Sequence, residues 1–153
     1  MRNRQQLLVE QLDQKLRVFQ QAVTVSAPER GWVHAIRTTL NMTMAQLGTK
    51  LNITRQGVKR IENSEAVGAI TLNSLQDVAH ALDLQLVYGF VPKDGSLDQL
   101  IKRKAEELAQ KIVLRTHQNM RLEDQGIEGG KVDKAIKDLA EELSREVRRS
   151  IWD

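Results

Sequence analysis

Residues 43–65 have the sequence TMAQLGTKLNITRQGVKRIENSE, and this stretch decides the fold. Thr43 and Thr54 each stand directly before a run of apolar residues with helical spacing, where a hydroxyl can cap the free amides of a first turn. Between the runs lies Asn52, which tolerates a left-handed backbone better than most residues other than glycine. The stretch therefore predicts two short helices, the second over residues 55–63, joined by a sharp turn.

The two predicted helices have complementary faces. Gly48 is small enough to let them touch at a steep angle, and the second helix can then enter the major groove of DNA, which admits one helix. The apolar inner face consists of Leu47, Leu51, Ile53, Val58 and Ile61. The outer face carries side chains that can reach base edges and phosphates, namely Arg55, Gln56, Lys59 and Arg60. We therefore expect a helix-turn-helix between about Gly31 and Asn63.

This spacing resembles the lambda-repressor and Cro type of helix-turn-helix, often called Xre, over about Val33 to Leu86. The motifs that carry the resemblance are TxxQL, LxITRQxV, RIE and ITLxxLxxVAxAL. Trp32, Ala35, Ile36 and Leu40 begin another predicted helix. The resemblance implies that Arg37 of that helix forms an ion pair with Glu62 at the end of the recognition helix, residues 55–63. It assigns base reading to Arg55, Gln56 and Arg60, with Lys59 on bases or phosphates. It assigns phosphate contacts to Thr43, Lys50, Thr54 and Asn63.

Three residues depart from that family pattern. Gly48 stands where alanine is usual, and Asn52 stands where glycine is usual. Gly57 lies inside the recognition helix, where glycine costs about 1 kcal/mol relative to alanine. It either lets the backbone approach DNA closely or is merely tolerated, and the sequence leaves both interpretations open. A generic helical hairpin with a basic face is the alternative to a DNA-binding unit.

Helical periodicity also covers most of the remaining chain. Residues 3–23 predict an amphipathic helix, and residues 26–31 predict a linker. Thr71 is placed to cap a helix from Leu72 to Leu82. Two long C-terminal helices follow, joined by a loop from Asp124 to Lys131. Their apolar stripes are Leu97, Leu100, Ile101, Leu108 and Ile112 in the first, and Val132, Ile136, Leu139, Leu143 and Val147 in the second.

Residues 84–91, LQLVYGFV, have a different character. They are rich in β-branched and aromatic residues and stop at Pro92, which is typical of a strand. A single strand cannot satisfy its own backbone groups, and no other segment is an evident partner. We expect the same strand of a second copy to pair with it in a homodimer, through Leu84, Leu86, Tyr88 and Phe90. The alternative is irregular backbone packed on its own chain, or pairing with a short unrecognised segment.

Together these patterns predict a mainly α fold. It comprises a lambda-repressor-like helix-turn-helix domain with one β-strand and a C-terminal helical extension. The predicted domains are residues 1–30 (N-terminal helix and linker), 31–92 (DNA-binding domain with the dimerisation strand) and 93–153 (C-terminal helical hairpin). An aromatic content of only 3% favours helices over sheets.

Composition also bounds the function. The chain has no cysteine, which excludes disulfides and zinc–thiolate sites. It shows no signal peptide and no apolar run of about 20 residues, so a cytoplasmic protein is expected. A net charge of +3 permits contact with phosphates without demanding it. His34, His80 and His117 are far apart and lack metal spacing, and no phosphate-binding glycine loop follows a strand. We expect no enzymatic activity, no metal and no cofactor.

A narrower resemblance covers nearly the whole chain. The segments GWVHAIR, ITLNSLQDVAHALDLQLVYGFVP and MRLEDQG are similar to the family called mobile mystery protein A. Members are typically encoded beside mobile mystery protein B, a Fic-domain protein. The resemblance implies an autoregulating antitoxin that represses from a palindromic operator in double-stranded DNA and pairs with a Fic-domain toxin. The alternative is a protein-binding module that neutralises a toxin and has little or no DNA binding of its own.

Overall fold

The chain is described by a computed structural model that covers residues 3–121 and 129–153. Within those ranges the regular structure is helical. The α-helices are α1 (Arg4–Arg17), α2 (Trp32–Thr39), α3 (Met44–Leu51), α4 (Arg55–Ala66), α5 (Leu72–Ala81), α6 (Leu97–Arg121) and α7 (Gly129–Glu146). Short 3-10 helices lie at Gln20–Thr24 and Arg149–Trp152. Residues 124–128 of the predicted C-terminal loop lie outside the described residues, and its last three residues begin α7.

The chain forms two compact units, Thr24–Tyr88 and Met1–Val23 with Gly89–Asp153. The predicted domain boundaries at residues 30 and 92 rest on turn residues. Turn residues give no information about the packing of α1, which contacts α6 and α7 although these helices are far from it in sequence. In the described part of the chain, no helix is both long enough and apolar enough to span a bilayer.

The unit formed by residues 24–88 closes around one small core. Each of its four helices contributes, with Val33 from α2, Leu47 from α3, Val58 from α4 and Val78 from α5. Leu47 and Val58 are completely buried, at 0% exposure. Both belong to the predicted inner face, so burial of that face holds α3 and α4 together.

The other unit is built on close packing between α6 and α7. Ala105 and Ala109 are fully buried, and they follow Ile101 at helical spacing along one stripe of α6. Such small side chains let a neighbouring helix approach closely. α1 adds a long-range cap: the Asp13 carboxylate accepts hydrogen bonds from the N–H of Leu97 (2.7 Å) and of Asp98 (3.2 Å) at the start of α6.

The predicted strand at Leu84–Val91 is not confirmed, because residues 3–121 and 129–153 contain no strand. A strand exists through its ladder of hydrogen bonds, and the described residues of one copy offer none. The Leu84 N–H donates to the Ala79 carbonyl at 2.7 Å. Residues 85–91 form no hydrogen bond with any other described residue. The segment is irregular in one copy, and its row of backbone donors and acceptors has no partner within residues 3–121 and 129–153.

Candidate nucleic-acid interface

The turn between α3 and α4 is held by a left-handed residue. Asn52 has φ 56° and ψ 39° and ends α3, as the sequence predicts. Its N–H donates to the Thr49 carbonyl at 3.3 Å, and the next N–H, of Ile53, donates to the Gly48 carbonyl at 2.9 Å. The last turn of α3 therefore satisfies its carbonyls within the turn itself.

Two glycines make room for Ile53 in that turn. A Cβ atom at Gly48 would lie 2.7 Å from the Ile53 carbonyl oxygen, so the helices approach more closely than alanine permits. A Cβ atom at Gly57 would lie 3.2–3.4 Å from side-chain atoms of Ile53. Gly57 therefore has a packing role: the Ile53 side chain lies over the first turn of α4. The spacing of Gly48, Ile53 and Gly57 is visible in the sequence, but it does not predict that they are in contact.

Both helices of the motif begin at a threonine cap. The Thr43 hydroxyl oxygen accepts from the Gln46 N–H, and the Gln46 side chain accepts from the Thr43 N–H, which completes a capping box. The Thr54 hydroxyl oxygen accepts from the Gly57 N–H at 3.1 Å. Each hydroxyl hydrogen is left to donate, so capping and a phosphate contact are compatible at both positions.

The outer face of α4 is polar, basic and exposed. The buried residues Val58 and Glu62 lie on the opposite face. The exposed polar side chains recur along one side of the helix and are those of Arg55, Gln56, Lys59, Arg60 and Asn63. None of the five side chains forms a hydrogen bond or an ion pair with another described residue. Lys50 of α3 is exposed and without such a partner as well. The structure thus places the predicted base-reading residues together, with free donors directed to solvent.

The recognition helix α4 is tied to α2 by a buried ion pair. Arg37 Nε donates to Glu62 Oε1 at 2.5 Å, and a second guanidinium nitrogen donates to Glu62 Oε2 at 3.3 Å. A third donates to the Met42 carbonyl at 2.9 Å. Arg37 is 7% exposed and Glu62 is 5% exposed. His34 Nδ1 lies 3.7 Å from Glu62 Oε2, at the edge of the pair. Bidentate pairing of this kind fixes orientation as well as distance.

A second carboxylate of α4 also contacts α2, and sequence analysis missed it. Glu65 accepts from the backbone N–H of Trp32 and of Val33, each at 2.8 Å. The sequence contains one signal for this contact. Gly31 precedes α2 without a hydroxyl or carboxylate of its own, and its position as N-cap supplies no side-chain hydrogen bond. A helix start without a local cap requires a partner from elsewhere or from water.

The segment after α5 borders an apolar groove of about 370 Å³ within residues 24–88. The groove is lined by apolar side chains that include Trp32, Ile36, Leu75, Leu82, Leu84 and Val87. Of the predicted dimer residues, Leu84 is 47% exposed, Tyr88 is 61% exposed and Phe90 is 82% exposed, whereas Leu86 is half-buried. Neighbouring Val87 is 66% exposed. The segment therefore presents both bare backbone and uncovered apolar side chains.

The architecture of this unit agrees with comparison to known families. Residues 33–88 match the family model described as helix-turn-helix, which covers less than half of the chain. No curated protein and no solved structure matches the chain. Residues 33–88 are therefore a helix-turn-helix domain of the Xre and lambda-repressor type, as the spacing of residues 43–65 predicts. This class of domain occurs in DNA-binding regulators of transcription.

Proposed function

We propose that this chain is a sequence-specific transcriptional repressor that binds double-stranded DNA through α4, and that it is not an enzyme. The observation that carries the proposal is the outer face of α4. Arg55, Gln56, Lys59 and Arg60 are exposed and have no partner among the described residues. Bidentate contacts from arginine to guanine and from glutamine to adenine are the contacts that distinguish base pairs in the major groove.

The proposal includes a homodimer on a palindromic operator. One recognition helix contacts only a few base pairs, and dimers of this motif bind half-sites about one DNA turn apart. Residues 85–91 support such an assembly because their backbone groups have no partner in the described part of one copy. The same segment of a second copy can supply antiparallel partners about a two-fold axis. Covering Val87 and Tyr88 adds apolar burial to the hydrogen bonds.

The proposal extends to an autoregulating antitoxin paired with a Fic-domain toxin. The support for this step is the similarity of GWVHAIR, ITLNSLQDVAHALDLQLVYGFVP and MRLEDQG to mobile mystery protein A. MRLEDQG itself lies mostly outside the described residues. Co-expression of the chain with a Fic-domain protein from an adjacent gene tests the step directly. Co-purification of the two proteins, and relief of the toxin's growth defect, are the expected results.

A protein-binding module without DNA binding is the second candidate function. A groove in the unit formed by residues 1–23 and 89–153 favours it. Leu8, Leu12 and Trp152 line this groove and are 45%, 47% and 51% exposed. Uncovered apolar side chains grouped in this way are typical of a surface that another protein covers.

One experiment separates the two candidates. Binding sites are first selected from random DNA duplexes with the full chain, and affinity for the selected duplex is then measured over a range of salt concentrations. A repressor is expected to bind the selected duplex more tightly than random DNA. The logarithm of its association constant is expected to fall linearly with the logarithm of salt concentration, because bound phosphates release counterions. Absence of any selected sequence, together with absence of salt-dependent binding, contradicts the proposal.

A further inference from the structure

Glu65 lies one helical turn beyond Glu62 on α4, and it contacts the opposite end of α2. Each of its carboxylate oxygens accepts one backbone hydrogen bond: Oε2 from the Trp32 N–H and Oε1 from the Val33 N–H, both at 2.8 Å. These N–H groups belong to the first turn of α2, where no intrahelical acceptor exists. A negative charge is also favoured at that end by the helix dipole. Glu65 thus caps the start of α2 from another helix, because Gly31 has no side chain that could do so.

Gly31 packs directly against this carboxylate. It is buried and has φ 91°, a conformation that L side chains rarely adopt. A Cβ atom at Gly31 would lie 2.7 Å from the Cδ and Oε1 atoms of Glu65. A side chain at position 31 and the Glu65 cap therefore exclude each other. The backbone before α2 is compatible with the carboxylate only because residue 31 is glycine.

The two carboxylates of α4 hold α2 at both ends. Glu62 binds Arg37 in the last turn of α2, and Glu65 binds the first turn. Val33 of α2 and Val58 of α4 also pack in one core. Core packing alone permits small changes in the angle between the two helices, whereas directional hydrogen bonds at both ends of α2 restrict that angle further.

We propose that Glu65 is a positioning residue that sets the angle of the recognition helix and thereby the discrimination between DNA sequences. The inference rests on the proposed DNA binding by α4. Arg55 is ten residues from Glu65, which is about 15 Å along a helix, so a tilt of a few degrees at Glu65 moves Arg55 by roughly 1 Å. Contacts to base edges tolerate displacements of only about 0.5 Å. Phosphate contacts are less directional, so loss of the cap lowers specific binding more than non-specific binding.

Glu65→Gln is the test variant, because it preserves size, removes the charge and replaces one of the two acceptor oxygens with an NH2 group, which cannot accept from an N–H. Asp13→Asn is the matched control. Asp13 caps α6 in the same way, through the N–H groups of Leu97 and Asp98, in the unit that does not contain the helix-turn-helix. Both variants lose a carboxylate cap and are expected to melt at a lower temperature than the wild type. Only Glu65→Gln is expected to change DNA discrimination.

The measurement is the ratio of affinities for the selected duplex and for random DNA, at a temperature where circular dichroism shows every variant fully folded. Glu65→Gln is expected to lower this ratio roughly tenfold, the value of one bidentate base contact, and Asp13→Asn to leave it unchanged. An unchanged ratio in Glu65→Gln, with a melting shift like that of Asp13→Asn, overturns the inference. A wild type that does not discriminate at all overturns the proposed function instead. If Glu65→Gln does not fold, Glu65→Asp replaces it, because the shorter side chain keeps the charge but cannot reach both N–H groups.

Discussion

Gly48 and Ile53 stand so close that no side chain fits between them, since a Cβ atom on Gly48 would lie 2.7 Å from the Ile53 carbonyl oxygen. The neighbour is backbone, which cannot turn aside as a side chain can. Gly48→Ala is therefore expected to lower the free energy of unfolding by about 1–2 kcal/mol, because forced overpacking outweighs alanine's better helix propensity. Chemical denaturation monitored by circular dichroism measures the change.

Gly57→Ala is the control for this variant. Its nearest neighbours are the Cδ1, Cβ and Cγ1 atoms of Ile53 at 3.2–3.4 Å, so Ile53 must shift by only a few tenths of an ångström. The helix propensity of alanine is better than that of glycine by about 1 kcal/mol and offsets the cost of this shift, so we expect the free energy of unfolding to change by less than about 0.5 kcal/mol. Equal destabilisation by the two alanines is the result that contradicts this account of the turn.

Removal of a base-reading side chain is expected to weaken operator binding without unfolding the domain. Arg55→Ala and Gln56→Ala should each reduce affinity for the selected duplex by about 1–3 kcal/mol. Arg115→Ala removes the same charge from an exposed position on α6 and is the control. Fluorescence anisotropy gives the affinities, and thermal melting verifies the fold. Unchanged affinity in both variants, with unchanged melting, eliminates the assignment of these residues.

The buried pair of Arg37 and Glu62 is expected to couple strongly. Loss of either partner leaves the other charge unpaired at a site less than 10% exposed. Each single variant is therefore expected to lower the free energy of unfolding by about 3–5 kcal/mol. The double variant is expected to cost much less than the sum of the single variants. The exposed pair of Arg103 and Glu107 on α6 is the control, with a coupling of about 0.5 kcal/mol or less. A double-mutant cycle with no more coupling than that control argues against a bracing role.

The proposed dimer is expected to depend on the backbone of residues 85–91. Val87→Pro removes one N–H that has no partner among the described residues, so the fold of a single copy should survive. Light scattering at micromolar concentration should detect a dimer for the wild type and a monomer for Val87→Pro. Val87→Thr retains the N–H and is expected to remain dimeric. A monomeric wild type contradicts the dimer, and a dimeric proline variant contradicts the involvement of this segment.

Arg103 is expected to control the titration of two carboxylates. Hydrogen bonds from its guanidinium are the main cause that lowers the pKa of Asp94 and the pKa of Glu107 below their ordinary values. Arg103→Gln should raise both pKa values, as measured by NMR titration of the carboxyl carbons, whereas Lys102→Gln should leave Asp94 unchanged. Because the folded pKa values are depressed, the stabilisation is present above the unfolded pKa and is lost as pH falls through the folded pKa. Unmoved pKa values in Arg103→Gln contradict this cause.

Local rules predict the helix-turn-helix well because its signals are close in sequence. The caps at Thr43 and Thr54 and the turn at Asn52 involve neighbours within three or four residues, and the structure has each of them. The boundary of α4 was less predictable. The helix continues past the expected residue 63 to Ala66, where Glu65 contacts α2. That contact crosses more than thirty residues of sequence, and no periodicity encodes it.

The segment 84–91 illustrates a different limit of sequence analysis. Its β-branched and aromatic residues fit a strand, yet strand propensity describes a half-buried pleated surface and does not supply the partner. The structure of one copy has no strand there, so whether the ladder forms depends on a second chain. The same limit applies to the outer face of α4. The exposure of its side chains follows from the structure of one chain, whereas the bases that they contact belong to a second molecule.

The separation of α1 from α6 in sequence sets an order for folding during synthesis. Asp13 leaves the ribosome early, but the N–H groups that it caps belong to Leu97 and Asp98, which emerge only after the whole of residues 24–88. The DNA-binding unit is therefore complete while α1 still lacks its packing partners. A ribosome stalled at the length where residue 88 has just left the exit tunnel is expected to carry a folded helix-turn-helix beside a protease-sensitive α1.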